Sequence, residues 1–191
     1  MNVVVNSQLL AAELRLLNKV VPTKPAIAIL SHALLRADDA LHFYATDLEV
    51  GFSTECPARV ALTGEVCLPV ARLLQLVEQF PDADVSIALD KGHVAVKCGA
   101  FKSRLQAQAV KEFPRLPEVE GSASTLDFEG FRALVAKTRS AVSATSSKYV
   151  LKGALFTATG QVAAMVATDG KRLALATMSV EGGASEQRIV I

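Results

Sequence analysis

Val166-Ala167-Thr168-Asp169-Gly170-Lys171-Arg172-Leu173-Ala174-Leu175 decides how the rest of the chain is read. Its centre, Ala-Thr-Asp, occurs once earlier, in Tyr44-Ala45-Thr46-Asp47-Leu48-Glu49-Val50. Each copy follows an apolar, strand-like run and leads into another. An aspartate carboxylate accepts hydrogen bonds from backbone N–H groups just ahead of it, so each copy reads as a hairpin corner. The second copy adds a glycine and two adjacent cations, which a plain corner does not require.

Working outward, the segments around both corners repeat. Val3–Val5 is β-rich, and Asn6-Ser7 supplies a helix cap. Leu10, Leu14, Leu17 and Val21 recur at helical spacing. Pro22 and Pro25 stop that helix. Strand-like runs follow at Ile27–Arg36, Ala40–Ala45 and Leu48–Thr54, with Asp38-Asp39 and Thr46-Asp47 as turns. The same order returns with a strand at Gly64–Leu68 and Pro69 at a first helical turn. Val70, Leu73, Leu74, Val77 and Phe80 form the stripe of this second helix. Strands at Val85–Leu89, Val94–Cys98 and Phe101–Ala107 complete the copy. Lys111–Ser122, with its prolines and mixed charge, reads as a linker. A third copy begins at Thr125–Asp127, with a helical stripe of Phe131, Leu134, Val135, Thr138 and Val142. Its strands are Tyr149–Ala158, Val162–Thr168 and Arg172–Ser179, and Ile189–Ile191 opens a fourth copy. The separation of Asp47 and Asp169 equals that of Ser7 and Glu129. The unit is strand, helix and three strands, with a period of roughly sixty residues. Two units close a domain. The fold class is α+β, with antiparallel sheets and the helices on one face.

Composition bounds the function. Half of the 191 residues are apolar, and the formal net charge is +1. A packed core is expected, and binding of nucleic acid by bulk charge is excluded, although a local basic face is not. Cys56, Cys67 and Cys98 are widely spaced, which fits a reducing cytoplasm rather than a disulfide framework. The N-terminus has no signal-peptide pattern, and no apolar run reaches membrane-spanning length. No phosphate loop, nucleophile elbow or HExxH motif is present. His32, His42 and His93 sit singly in strand-like runs and read as structural, so no metal site and no cofactor are expected. Asp38-Asp39 reads as a solvated turn. Ser140, Ser143, Ser146 and Ser147 have no histidine nearby in the sequence, which gives a nucleophile little support. The helices carry Arg15, Lys19, Arg72, Arg132, Lys137 and Arg139 against Glu13, Glu78 and Glu129. That is either a solvated helix face or a weakly basic layer facing phosphates. Tyr149 is either a half-buried strand start or an aromatic contact at a loop tip.

The chain resembles the bacterial DNA polymerase III beta subunit family, the sliding clamps. The resemblance rests on Lys24-Pro25 through Ile29-Leu30, Ala45-Thr46-Asp47-Leu48-Glu49, Glu112-Phe113-Pro114-Arg115-Leu116-Pro117, Tyr149-Val150-Leu151-Lys152-Gly153 and Val166–Ala174. It runs along the whole chain but covers only the N-terminal portion of a clamp protomer. Residues 1–121 are expected to be clamp domain 1, and 122–191 the first part of domain 2, with domain 3 absent. The resemblance implies a processivity factor without catalysis. Two protomers form a ring around duplex DNA, with helices lining the hole. Polymerase III subunits, the clamp loader and repair polymerases bind through short peptides. The ring slides on electrostatic contacts that are independent of sequence. The implied location is cytoplasmic, on the nucleoid.

Carried over residue by residue, the resemblance places Leu151, Thr168, Gly170, Lys171, Arg172 and Leu173 in the first half of a groove for partner peptides, whose other half belongs to the part of domain 2 that this chain lacks. It places Lys24, Thr145 and Tyr149 at DNA, and Arg72 belongs to the basic helical layer. Lys171 stands where histidine is common, Lys24 where arginine is frequent, and Val150 where a second aromatic is often found. Phe101–Ala107 would be the ring-interface strand. As given, the chain reads as a clamp fragment. The alternatives are a truncated interaction module that forms no ring and, with least support, an α+β enzyme.

Overall fold

The computed structural model describes residues 1–114, 125–145 and 148–191. The chain divides into two compact units, Met1–Glu118 and Val119–Ile191.

In the first unit, β1 (Asn2–Asn6) runs into α1 (Ser7–Val20). The Asn6 side-chain oxygen accepts from the N–H groups of Gln8 and Leu9 at 2.9 and 3.2 Å. That satisfies two of the donors a helix start leaves open. Leu10, Leu14 and Leu17 point into the core with no exposed surface. Then come β2 (His32–Ala37), β3 (Leu41–Thr46), β4 (Gly51–Cys56) and β5 (Arg59–Leu62). The second copy contributes β6 (Gly64–Pro69), α2 (Val70–Val77), β7 (Asp84–Asp90), β8 (His93–Cys98) and β9 (Phe101–Gln106).

The two copies exchange their first strands. One sheet has the order β5-β1-β7-β8-β9 and the other β4-β3-β2-β6, all antiparallel. Thus β1 borders the three-strand meander of the second copy, and β6 borders that of the first. The registers correspond. Asn6, the last residue before α1, faces Asp84 at the start of β7; Pro69, the last before α2, faces His32 at the start of β2. Helices α1 and α2 pack on each other, α1 also on β1, β3 and β4, and α2 on β6. One core joins both helices to both sheets, from Val3 and Leu35 to Leu73 and Val96. Neither copy could bury its helix stripe and its sheet face alone, which accounts for their pairing.

The second unit has α3 (Phe128–Thr138), β10 (Leu155–Thr168) and β11 (Leu173–Val190). Asp127 caps α3 by accepting from Gly130 N–H. A Cβ on Gly130 would lie 2.9 Å from Asp127 Oδ2 and 3.0 Å from the Met178 methyl of β11, so this first turn packs closely against the sheet. The core is smaller and built of compact side chains around Leu134, Phe156 and Met165. The β10–β11 register falls into two blocks: Leu155–Ala158 with Gln187–Val190, and Val162–Thr168 with Leu173–Ser179. Between them Gly160 has φ +57°, and Thr159–Val162 are all exposed. The first block repeats the β2–β6 pairing of the first unit, and the second repeats the β3–β4 pairing.

Several expected boundaries are corrected. Ala28–Ser31 is a 3-10 turn, so β2 begins at His32. Leu48–Val50 belong to the Asp47 corner, so β4 begins at Gly51. The α2 helix ends at Val77, and Phe80 is buried by the turn after it. Strand β5 was not expected. Thr125–Asp127 is not a strand: β1 is held between β5 and β7, and Thr125–Asp127 has no such neighbours among the described residues. Tyr149–Lys152 is a 3-10 turn rather than a strand start. Val110–Glu112 is another such turn, and the linker beyond Pro114 lies outside the described residues, as do Ser146 and Ser147.

Candidate peptide corner and nucleic-acid contacts

The two Thr-Asp corners are built alike. In the first, Thr46 Oγ1 accepts from Leu48 N–H at 3.0 Å, and Asp47 Oδ1 accepts from Glu49 and Val50 N–H at 2.9 and 2.6 Å. In the second, Thr168 Oγ1 accepts from Gly170 N–H at 3.0 Å, and Asp169 Oδ1 accepts from Lys171 and Arg172 N–H, both at 2.9 Å. The residue after each aspartate has positive φ: +79° at Leu48 and +87° at Gly170. The backbone N–H bonds hold both carboxyls below the ordinary aspartate value, chiefly through Val50 at Asp47 and through Lys171 at Asp169.

The second corner carries additional bonds. Asp169 Oδ2 accepts from Arg172 Nε at 3.0 Å, and Thr168 Oγ1 donates to the Arg172 carbonyl at 2.7 Å. The guanidinium is therefore anchored at its Nε edge while its side chain stays 65% exposed. Leu173, the first residue of β11, is 66% exposed and Leu175 62%. The turn thus brings Thr168, Gly170, Lys171, Arg172 and Leu173 together, with an open backbone at Gly170, where an added Cβ would touch nothing within 4 Å. Leu151 lies on the 3-10 turn Tyr149–Lys152, half-buried, and its carbonyl accepts from Ser143 N–H at 2.9 Å. Among the described residues no hydrogen bond or ion pair joins it to the corner.

The expected nucleic-acid residues divide between the units. Lys24 and Arg72 are exposed in the first, Lys24 on the loop after α1 and Arg72 on α2. Thr145 is exposed in the second, and Tyr149 opens the 3-10 turn. Arg72 lines a cleft of about 340 Å³ with Ser31, His32, Arg104, Gln106 and Gln108. Burial first, and then the charge of Arg72, hold His32 below the ordinary histidine value against the opposing pull of the Ala28 carbonyl. The convergence of Arg104 on Arg72 was not read from the sequence. Arg104 alternates with Ser103 and Leu105 on β9, and that alternation was the available signal. The helical charges are also rearranged. Arg15 pairs with Glu78 at 3.0 Å, Arg132 pairs with Glu129, and Glu13 accepts from the Thr54 hydroxyl at 2.7 Å. Lys19, Arg72, Lys137 and Arg139 form no ion pair with the described residues.

Nucleophilic chemistry finds little support. All three cysteines are buried, and burial pushes the Cys56 and Cys67 thiols up to about 12. A thiol in that state is a poor nucleophile.

Comparison with known proteins agrees along the chain. Residues 1–117 match the DNA polymerase III beta subunit, N-terminal domain, and residues 125–191 match its central domain. The beta sliding clamp of Chlamydia muridarum is 33% identical over 177 residues, covering 91% of this chain and 48% of that protein. That of Caulobacter vibrioides is 35% identical over 176 residues, covering 86% and 47%. The crystal structure of the DNA polymerase III subunit beta from Pseudomonas aeruginosa superposes with a TM-score of 0.94 at 26% identity, covering all of this chain and 53% of that one. The chain spans about half the length of the curated relatives it matches. With two domain matches in sequence order and the strand-exchanged architecture in place, the chain belongs to the DNA polymerase III beta subunit family, the beta sliding clamps.

Proposed function

We propose that this chain serves in a DNA polymerase processivity factor, a ring around duplex DNA that tethers polymerases through short peptides. Residues 1–121 act as the first clamp domain and 122–191 as the first part of the second. The second corner, Thr168–Leu173, is the partner-peptide site, with Leu151 as part of its apolar floor. The observation that carries this reading is the difference between two matching corners. Both corners expose apolar side chains, Leu48 and Val50 at the first and Leu173 and Leu175 at the second, but only the second adds a glycine and an anchored arginine. Leu173 and Leu175 offer apolar surface, Gly170 admits a ligand backbone, and the free edge of the Arg172 guanidinium can donate to peptide carbonyls.

DNA is contacted by Lys24, Arg72, Thr145 and Tyr149 without reading sequence, through charge and a loop aromatic. Polymerase III subunits, the clamp loader and repair polymerases are the proposed peptide donors. The ring itself carries no catalytic chemistry, needs no cofactor, and works in the cytoplasm on the nucleoid. No helix among the described residues is long and apolar enough to cross a membrane.

The test is peptide affinity. A fluorescent leucine-rich peptide patterned on a polymerase tail is titrated with the 191-residue chain and with Leu173→Ala. Loss of the buried leucine contact is expected to weaken binding about tenfold, which corresponds to about 1.4 kcal/mol. The circular-dichroism melt should stay unchanged, because Leu173 is exposed. Unchanged affinity would refute the assignment.

A further inference from the structure

The β2–β3 hairpin assembles a group of side chains that neither the peptide corner nor the basic layer uses. Asp38 and Asp39 form its turn, and His42 follows on β3. His42 Nε2 lies 2.7 Å from Asp38 Oδ1 and 3.1 Å from Asp39 Oδ1. The other ring nitrogen, Nδ1, lies 3.1 Å from Glu55 Oε2 on β4, where Glu55 stands directly opposite His42 in the register. On the other flank Arg36 of β2 is opposite His42, and its Nε binds Asp38 Oδ2 at 3.0 Å. The imidazole is only 16% exposed, while Asp39 is 90% exposed. One imidazole nitrogen and two carboxylate oxygens thus lie within 4.8 Å of one another at the surface.

We propose that Asp38, Asp39 and His42 bind a divalent transition-metal ion of the zinc class, with Glu55 as the positioning residue behind His42. The group is centred on a nitrogen donor, which separates it from an acidic patch. Imidazole with carboxylates suits zinc, whereas magnesium and calcium favour oxygen-only sets. With Glu55 beside Nδ1, a metal-bound imidazole would keep its proton on Nδ1 and offer Nε2 to the ion, the carboxylate–histidine arrangement that orients metal-binding imidazoles. Arg36 occupies Oδ2 of Asp38, while Oδ1 faces the site and also accepts from the Asp39 N–H at 2.9 Å, which fixes its direction. Solvent at Asp39 leaves room for water to complete four-coordination. The site stands independently of the processivity reading, because it uses none of the corner or basic-layer residues.

The experiment is isothermal titration of the untagged 191-residue chain with zinc chloride, in a buffer that does not chelate. One saturable zinc site is expected. His42→Ala should abolish it, and Asp39→Asn, at a nearly fully exposed position, should weaken it without touching the core. Glu55→Gln should weaken it about tenfold to a hundredfold, the usual cost of losing a ligand's supporting partner. His93→Ala, on another strand, should leave it intact, and millimolar magnesium should not displace zinc. Absence of saturable zinc binding would overturn the proposal. So would zinc binding that survives both His42→Ala and Asp39→Asn, or a site that magnesium empties.

Discussion

The corners at Asp47 and Asp169 share a backbone and differ in what they display. Both use a threonine hydroxyl and an aspartate carboxylate to accept three backbone N–H bonds over the next four residues. Both need a positive φ after the aspartate. The first meets that need with Leu48, a bulky residue in a region that favours glycine, and the second with Gly170. The comparison teaches that the hydrogen bonds, not the glycine, define the turn. Glycine leaves the backbone at the second corner uncovered, which the proposed peptide site uses.

Exchanging the two residues gives the largest expected effect. Gly170→Leu is expected to destabilise the second unit by about 1–2 kcal/mol, the cost of placing a side chain in the left-handed region. No clash contributes, because an added Cβ there meets open space. Leu48→Gly should do the reverse by less, roughly 0.5 kcal/mol, since relief of strain is partly offset by the freedom glycine gains in the unfolded chain. Urea unfolding of both variants measures this. Equal responses of the same sign would break the equivalence of the corners.

Acid gives a smaller effect and sharpens the comparison. Both carboxyls titrate below the ordinary aspartate value of 3.8 when folded. Each therefore stabilises the fold fully above that value, and the contribution disappears as pH falls through the lower folded value. Asp47→Asn and Asp169→Asn should each flatten the acid limb of a stability-against-pH curve. Asp169→Asn should flatten it more, because it also removes the Arg172 pair. Acid limbs identical to the parent chain in both variants would show that the turns do not depend on the charged form.

Much of this architecture was legible in the chain itself. Leu10, Leu14 and Leu17 placed α1, Val70 to Val77 placed α2, and the paired Ala-Thr-Asp runs exposed the repeat. Boundaries failed where a local turn overrode a strand-like composition. Ala28–Ser31 and Tyr149–Lys152 coil on local backbone bonds, Leu30 N–H to the Ile27 carbonyl and Leu151 N–H to the Lys148 carbonyl, which composition does not record. Thr125–Asp127 failed for a non-local reason, since strand identity depends on neighbours that sequence proximity does not supply. At the corner, Thr168 to Leu173 could be read because they are contiguous. The approach of Arg104 to Arg72, and of Glu55 to His42, joins separate elements and becomes visible only with the register in hand.

The central claim is that one of two matching corners recruits peptide and the other does not. The most direct measurement is backbone amide shift mapping of the 191-residue chain, titrated with a short leucine-rich peptide. The amides of Gly170, Lys171, Arg172 and Leu173 are expected to move while those of Leu48, Glu49 and Val50 stay in place. Equal movement at both corners, or movement at the first alone, would contradict it.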